Sequence, residues 1–369
     1  TWFLAPCCQM CVTIRHSLKA PNDCEIHGRY ERTKTVKISR ISGVVAFAAA
    51  AGLALSGCAA PAATPTVTPI DFKACAVSDE GSWNDKSFNE AVLDGIKKSK
   101  AELGVKTATA ESNSSEEFTP NLNAMVKAKC DVTFAVGFNL VDAVNKAAEA
   151  NPKMHFVTID GWSNGAKNLK PVGYAMQESS YLAGYLAASF SKTHVISTYG
   201  GMKIDAVTAF MTGFYYGAKR YEKDSGVATT VIGWDPVAQT GDFMNDFAPN
   251  SAVSKTIATT QIQKGSDVIF PVGGDQFGAA SSAITEAGVD AVMIGVDKDI
   301  AKTSPQYSKW MLTSVEKRMT NAVFDIVKSL SSGAKFDGTA YLGNLKNGGT
   351  GLSPFGAFDS QISQETKDA

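Results

Sequence analysis

The sequence has almost no net charge and few histidines, and both shortages exclude functions. Lys and Arg number 35 against 36 Asp and Glu, so the chain lacks the basic field that nucleic-acid binding requires. Of 4 histidines, only His155 and His194 follow residue 58, both beside predicted strands where packing is expected rather than catalysis. No nucleophile elbow, phosphate-binding loop or zinc-protease motif occurs. We therefore predict that the protein is not an enzyme and uses no cofactor or metal.

The sequence also lacks an apolar run long enough to span a bilayer. Residues 44–55 are rich in Ala, Val and Leu but number only 12, against the roughly 20 that a transmembrane helix needs. Lys34, Lys37 and Arg40 precede this run, and Leu55-Ser56-Gly57-Cys58 follows it. This order predicts a secretory signal peptide with a lipobox, cleaved before Cys58. Diacylglycerol and a fatty acyl chain such as palmitate on Cys58 would then anchor the protein on the outer face of the cell membrane.

Residues 1–33 do not fit a signal peptide, and the chain starts at Thr1 rather than at Met. We interpret residues 1–57 as leader and signal peptide, with 1–33 as an over-extended reading frame. Cys8-x-x-Cys11 and Cys24-x-x-His27 resemble zinc-site spacing, but in a leader that is cleaved or untranslated they hold no metal. Residues 1–33 therefore carry no functional prediction.

A short tether is predicted after the lipidated cysteine. Removal of residues 1–57 leaves 28 basic and 33 acidic residues, so the mature chain is mildly acidic. Residues 58–71 contain an Ala/Pro/Thr-rich stretch with three prolines, which favours an extended, semi-rigid chain. Such a tether would let an anchored domain stand away from the membrane.

From residue 72 onward, apolar strand-like runs alternate with helix-period runs, which is typical of the α/β class. Apolar residues at i+4 spacing, such as Phe88, Val92 and Ile96, place one apolar stripe on each helix. The predicted strands are 72–79, 130–137, 154–160, 194–200, 228–234, 267–273, 290–297 and 311–315.

Several predicted strands end in Asp or Gly, and this pattern predicts a ligand cleft. Ligands bind at the carboxyl ends of strands in open α/β sheets, where polar and glycine residues gather. Residues 75–90 show the pattern best, because an apolar strand stops at Asp79 and a polar turn enters a helix. Ser87 and Glu90 have the spacing of a capping box for that helix.

Seven motifs span most of residues 72–356: SDEGSWNDKSFNEAVLDGI, VGFNLVDAV, FVTIDGW, QESSYLAGYLAA, YGGMKIDAVTAFMTGFYYGAK, IGVDKD and MLTSVEKR. In sequence and in order they resemble the basic membrane protein family, the purine-nucleoside-binding lipoproteins of ABC importers. The resemblance implies a type I periplasmic-binding-protein fold, in which two Rossmann-like lobes joined by a three-strand hinge close on the ligand. It places residues 72–173 plus 300–335 in the first lobe and 174–299 plus 336–362 in the second.

The resemblance also implies a set of ligand-binding residues. Phe88 would stack on the base, Asn89 would bond the purine edge, and Asp160 would read the base. Asp297 and Lys317 would hold the ribose hydroxyls, and Phe243 would supply the second aromatic ring, with Trp234 as its rival. The other implied residues are Asp79, Asn84 and Asp85 of the first loop and the two glycines Gly273 and Gly274.

Three cysteines remain in the mature chain, and two of them could pair. Cys75 and Cys130 lie on strands that neighbour each other in a doubly wound sheet, so a disulfide is plausible outside the cell. Free thiols are the open alternative.

These observations predict a monomeric, lipid-anchored substrate-binding protein that captures purine nucleosides and delivers them to the permease and ATPase of an ABC importer. A lipoprotein that senses the ligand and signals to a partner without transport is the alternative, since both need the same cleft. The ranking of adenosine, guanosine and inosine stays open.

Overall fold

Alternating strands and helices build two similar lobes in the computed structural model, which describes residues 67–369. The residues of the predicted leader, lipobox and lipidated Cys58 lie outside this range. The elements up to the first crossing between lobes are β1 (Lys73–Val77), α1 (Phe88–Leu103), β2 (Lys106–Ala110), α2 (Phe118–Lys127), β3 (Val132–Val136), α3 (Val141–Ala150), β4 (His155–Ile159) and β5 (Leu169–Tyr174).

The chain then forms most of the second lobe. Its elements are α4 (Met176–Phe190), β6 (Val195–Gly200), α5 (Asp205–Ser225), β7 (Thr230–Ile232), β8 (Trp234–Asp235), β9 (Thr240–Gly241), α6 (Ala252–Gln263), β10 (Val268–Val272), α7 (Phe277–Ala287), β11 (Val292–Asp297), α8 (Ile300–Thr303) and β12 (Met311–Lys317). The remaining elements are α9 (Met319–Ser331), β13 (Tyr341–Gly343), β14 (Thr350–Leu352) and α10 (Gln364–Asp368).

Each lobe is built on a six-stranded sheet with the same internal order. The first sheet runs β13-β5-β4-β3-β1-β2 and the second runs β14-β12-β11-β10-β6-β7. Strands pair in parallel within both sheets, except that β14 runs antiparallel to β12. Central strands such as β3 and β10 are buried along their whole length and are mostly apolar, as expected for parallel strands covered by helices on both faces. The predicted α/β fold with two Rossmann-like lobes is confirmed.

The crossings between lobes differ from the prediction at two of three places. The chain leaves the first sheet after Tyr174. Residues 300–317 do not return to the first lobe, because β12 pairs with β11 in the second sheet. The return comes at α9, whose Val323 packs against α1 at Gly95. Residues 341–343 still belong to the first sheet, where β13 pairs with β5, so the last crossing falls between β13 and β14.

The prediction missed strands that carry weak signals. β2 is an edge strand of sequence KTATA, which has no apolar run. β5 contains Pro171 and Gly173, two residues that argue against a strand inside a sheet. The short strands β13 and β14 depend on pairing with distant partners.

Close helix packing and one covalent bond stabilise the lobes. A Cβ atom at Gly217 of α5 would lie 1.9 Å from the Tyr181 carbonyl oxygen of α4, so glycine allows these helices to touch. Cys75 in β1 forms a disulfide with Cys130, just before β3, with Cα atoms 6.0 Å apart. Within residues 67–369 no helix is long and apolar enough to cross a membrane.

Candidate functional site

A cleft of about 740 Å³, including its open mouth, lies between the lobes at the carboxyl ends of both sheets. Residues from the ends of β1, β3 and β4 face residues from β10, β11, β12 and the start of α5. The lining residues are Asp79, Gly81, Asp85, Phe88, Asn89, Gly137, Phe138, Asn139, Asp160, Ile204, Ala206, Val207, Phe210, Phe247, Pro249, Val272, Gly273, Gly274, Asp275, Val296, Asp297 and Lys317.

Asp85 organises the first-lobe side of the cleft by capping α1. Its carboxylate accepts hydrogen bonds from the backbone N–H groups of Ser87 at 3.0 Å, Asn89 at 2.7 Å and Glu90 at 3.0 Å. Burial raises the pKa of Asp85 to about 7, although these three donors act in the opposite direction. The predicted capping box is wrong, because the Ser87 side chain makes no cap bond and Asp85 takes that role.

Asn89 is held in one orientation by two carboxylates. Its Nδ2 donates to Asp79 Oδ1 at 2.7 Å and to Asp85 Oδ2 at 3.1 Å. Its Oδ1 is buried without a hydrogen-bond partner in the described chain, and the residue is 2% exposed and lines the cleft. Asn89 therefore offers the cleft an acceptor, not a donor.

Asp79 adds a second carboxylate to this network. It accepts from Gly81 N–H at 2.9 Å as well as from Asn89. Burial raises its pKa to about 6, against the opposing effect of these hydrogen bonds.

Lys317 lies among aromatic rings from both lobes. Its Nζ is 5.1 Å from the ring centroid of Phe88, 5.2 Å from that of Phe210 and 5.9 Å from that of Tyr174. It also forms an ion pair with Asp160 at the end of β4, and both side chains are buried. An ion pair between one residue from each lobe thus lies at the cleft, and aromatic rings surround its lysine.

Asp297 is the last residue of β11, is buried like the rest of that strand, and faces α1. Ser87 Oγ donates to Asp297 Oδ2, and burial raises the pKa of Asp297 against the attraction of Lys317. Its backbone φ of +67° is unusual for a residue other than glycine. Residues in such conformations cluster at functional sites.

The second lobe supplies Phe210 and Phe247 to the cleft, not the predicted Phe243. Gly200 at the end of β6 forms a bridge with Phe243, which turns that ring into the lobe core, 5.8 Å from the ring of Trp234. Trp234, the rival, is also buried there and donates from Nε1 to Thr212 Oγ1 at 3.0 Å. Neither of the two rings proposed as the second aromatic residue therefore lines the cleft.

Of the other predicted residues, Asn84 lies outside the cleft. It is exposed and accepts a hydrogen bond from Lys86 Nζ. Nine predicted residues line the cleft: Asp79, Asp85, Phe88, Asn89, Asp160, Gly273, Gly274, Asp297 and Lys317. Gly273 and Gly274 have positive φ values of 154° and 69°, as a backbone that closely borders the cleft requires.

Sequence reasoning missed Phe138, Phe210, Phe247 and Asp275. Phe210 shows the i+4 spacing with Phe214 that is typical of a helix core, so nothing in the pattern marks it as a cleft residue. Asp275 follows Gly273-Gly274 at a strand end, and that position was the available signal. Burial raises its pKa to about 6, and its Oδ1 has no partner among the described residues.

The cleft has a strongly acidic lining. Five carboxylates face one lysine, and that lysine is already paired with Asp160. The arrangement suits a neutral ligand that donates several hydrogen bonds and opposes phosphate groups. No group of His, Cys, Asp and Glu within residues 67–369 could hold a metal ion.

A family model described as ABC transporter substrate-binding protein PnrA-like (Bmp) matches residues 72–369. The ABC transporter nucleoside-binding protein BmpA of Lactococcus lactis subsp. cremoris is 33% identical over 350 residues, covering 89% of this chain and 94% of the relative. Basic membrane protein A of Borreliella burgdorferi is 32% identical over 247 residues, covering 66% and 68% of the two chains. The description of the family and the name of the Lactococcus lactis relative are those of binding proteins, which supports the prediction that the chain is not an enzyme.

Solved structures agree with this fold. An ABC transporter solute-binding protein from Aeropyrum pernix matches with a TM-score of 0.69 and 26% identity, covering 77% of this chain and 76% of that one. A solute-binding protein from Conexibacter woesei matches with a TM-score of 0.62 at 16% identity, a likeness that concerns the fold alone.

Proposed function

The chain belongs to the Bmp family of PnrA-like ABC transporter substrate-binding proteins, and from this premise we propose that it binds purine nucleosides in the cleft between its lobes. The observation that carries the proposal is the cleft lining. Aromatic rings from both lobes, Phe88 and Phe210, occur there with buried acceptors that have no partner within the described chain. A purine nucleoside offers a flat base and several N–H and O–H donors to such a lining.

The aromatic rings suit the base. Phe88 comes from the first turn of α1, and Phe210 and Phe247 come from the second lobe. We propose that Phe88 stacks on one face and that Phe210 or Phe247 takes the role first assigned to Phe243. Stacking of a base on an aromatic side chain contributes about 1–3 kcal/mol.

The acceptors suit the edges of the base and the sugar. Because Asp79 and Asp85 hold the Asn89 amide group, its Oδ1 would accept from an N–H of the base. Asp297 uses Oδ2 for Ser87, so its Oδ1 is the atom we assign to a ribose hydroxyl. Lys317 has three N–H donors, and its hydrogen bond to Asp160 leaves donors for a ribose oxygen.

The acidic lining would also favour binding of nucleosides over nucleotides. A phosphate group in this cleft would meet five carboxylates and one lysine that is already paired. The repulsion would oppose phosphorylated ligands without requiring a steric barrier.

We further propose that lipid on Cys58 anchors the protein outside the cell, where it works as a monomer and delivers nucleosides to the permease and ATPase of an ABC importer. The support is the basic segment, apolar run and lipobox in the sequence, together with the family. In the Cys58→Ser variant the protein should leave the membrane fraction or stay unprocessed. Correctly cleaved variant protein that remains in the membrane would exclude the anchor.

The central experiment identifies the ligand directly. The purified protein is denatured and the released compounds are analysed by mass spectrometry, then adenosine, guanosine, inosine, uridine and adenosine monophosphate are titrated by calorimetry. Purine nucleosides should bind, and adenosine monophosphate should bind at least about tenfold more weakly because the acidic lining repels its phosphate group. Uridine should also bind more weakly than the purine nucleosides, because its single ring buries less apolar area against the aromatic side chains. Binding of none of the purine nucleosides would exclude the proposed ligand class.

A further inference from the structure

One contact between the lobes lies beside the ligand-binding residues and is formed by the residues that end β11. Lys298 N–H donates to the Val296 carbonyl oxygen at 2.7 Å, across Asp297 with its φ of +67°. This hydrogen bond closes a turn of three residues, which is the pattern of a γ-turn with a positive central φ. Such turns are rare and strained for a residue other than glycine. The turn directs Asp297 toward Ser87 and places Lys298 against α1.

Lys298 joins two carboxylates on one face of α1. Its Nζ lies 2.8 Å from Glu90 Oε1 and 2.7 Å from Asp94 Oδ2, which are four residues apart on the helix. The Lys298 side chain is only 12% exposed. Burial alone would lower the pKa of Lys298, but the hydrogen bonds and charges of Asp94 and Glu90 raise it, so the ammonium group remains charged.

This contact connects the two halves of the cleft. Glu90 and Asp94 belong to the same helix as Phe88 and Asn89, and Lys298 directly follows Asp297. The lobes are joined by three chain crossings near the cleft, an arrangement in which two lobes can separate by hinge motion. Separation of the lobes would break both bonds of Lys298.

We propose that Lys298 is a positioning residue that holds the lobes together around the ligand through Glu90 and Asp94. It need not touch the ligand, because it acts by raising the fraction of protein in the closed arrangement. Apparent affinity falls in proportion to the fraction of molecules that are competent to bind. The inference rests on the proposed function only for the identity of the ligand used in its test.

The test compares Lys298→Met with Lys86→Met. Lys86 is the matched control, because it also contacts Glu90, at 3.3 Å, but lies in the first lobe and is more exposed. Calorimetry and stopped-flow fluorescence with adenosine give affinity and dissociation rate. Lys298→Met should weaken binding about 10- to 100-fold through faster dissociation, because a buried charged hydrogen-bonded pair is broken. Lys86→Met should change affinity less than about threefold.

A second measurement does not depend on the ligand. Small-angle X-ray scattering of the ligand-free proteins should give a larger radius of gyration for Lys298→Met than for the wild type and for Lys86→Met. Unchanged dissociation together with an unchanged radius of gyration would overturn the proposal, as would equal effects of the two substitutions. If wild-type protein binds no purine nucleoside, the proposed function fails, and the scattering comparison still decides the role of Lys298.

Should Lys298→Met fail to fold, Asp94→Asn keeps the proposal testable. Asp94 is 36% exposed and makes one of the two bonds to Lys298, so its loss should give a smaller change in the same direction. A folded Asp94→Asn variant with wild-type dissociation and radius of gyration would count against the proposal.

Discussion

The two sides of the cleft are built in different ways. On the first-lobe side, four of the lining residues lie within eleven positions of the chain: Asp79, Asp85, Phe88 and Asn89. Short-range hydrogen bonds join Asp79, Asp85 and Asn89. On the second-lobe side, Phe210, Asp275, Asp297 and Lys317 come from four separate segments, which only the sheet brings together. A locally bonded side can keep its geometry while the lobes separate. The dispersed side depends on the packing of a whole lobe.

The largest effect should follow from loss of the Asp85 cap. Asp85→Ala leaves the backbone N–H groups of Ser87, Asn89 and Glu90 without their acceptor. It also removes one of the two carboxylates that hold the Asn89 amide group. We expect the free energy of unfolding to fall by about 2–4 kcal/mol and nucleoside affinity to fall more than about 100-fold. Urea denaturation and calorimetric titration measure the two quantities. The exposed Asn84→Ala is the control, and equal effects of both substitutions would contradict the local network.

Substitution of aromatic residues in the second lobe should give the next largest loss of affinity. It should also distinguish a ring that lines the cleft, Phe210, from a ring that packs in the core, Phe243. Phe210→Ala should weaken all purine nucleosides by about 5- to 150-fold without changing their order, as should Phe88→Ala on the opposite side. Phe243→Ala should reduce stability by creating a cavity beside Trp234, and the folded variant should keep its affinity. Calorimetry at a temperature where all three variants are folded makes the comparison. A greater loss of affinity in Phe243→Ala than in Phe210→Ala would restore the original assignment.

Substitution of Asp297 should reduce affinity for ribonucleosides more than affinity for free bases, because we assign Asp297 to the ribose alone. Asp297→Ala removes a charged acceptor, at a cost of about 1.5–3 kcal/mol for a ligand that bonds it. It should therefore narrow the affinity gap between adenosine and adenine, while Phe88→Ala should leave that gap unchanged. Both ligands are titrated against both variants by calorimetry. An unchanged gap in Asp297→Ala would exclude the ribose assignment.

The smallest effect should be that of pH. Burial raises the pKa of Asp79 to about 6, of Asp85 to about 7 and of Asp275 to about 6, so the folded state binds protons more tightly than the unfolded chain does. The stability of the ligand-free protein should therefore increase as the pH falls from 7 toward 5. A hydrogen bond from a ligand donor is stronger to an ionised carboxylate than to a protonated one, so affinity should decrease over the same pH range, by at most about tenfold per pH unit for each carboxylate involved.

Thermal unfolding and calorimetry from pH 5 to 8 check both trends. The variant Asp275→Asn removes one titrating group and should flatten the affinity profile while leaving the Asp79 and Asp85 network intact. Affinity that is constant across this range would show that none of these carboxylates contacts the ligand while titrating.

Much of the fold could be predicted because apolar strands and helix stripes are local patterns. β1, β3, β4, β6, β10 and β11 lie inside their predicted ranges, since buried parallel strands leave a dense apolar signal. β5 was missed because its Pro171 and Gly173 oppose a strand, and pairing with β4 and β13 overrides that local preference. Residues 300–317 were assigned to the wrong lobe because β12 belongs to the second sheet through its pairing with β11.

Local patterns in the sequence were sufficient to predict the α/β class, the family and most of the cleft residues in the first-lobe loop, because strand period and turn chemistry act over a few residues. Tertiary structure alone decided which second-lobe aromatic ring enters the cleft. Phe210 lies in α5 and lines the cleft, whereas Phe243 lies in the loop after β9. The backbone of Phe243 pairs with Gly200, and its ring packs against the core of the lobe. Tertiary structure also paired Lys317 with Asp160, 157 positions apart in the chain. Contacts at such separation depend on how the two sheets face each other, which no local pattern encodes.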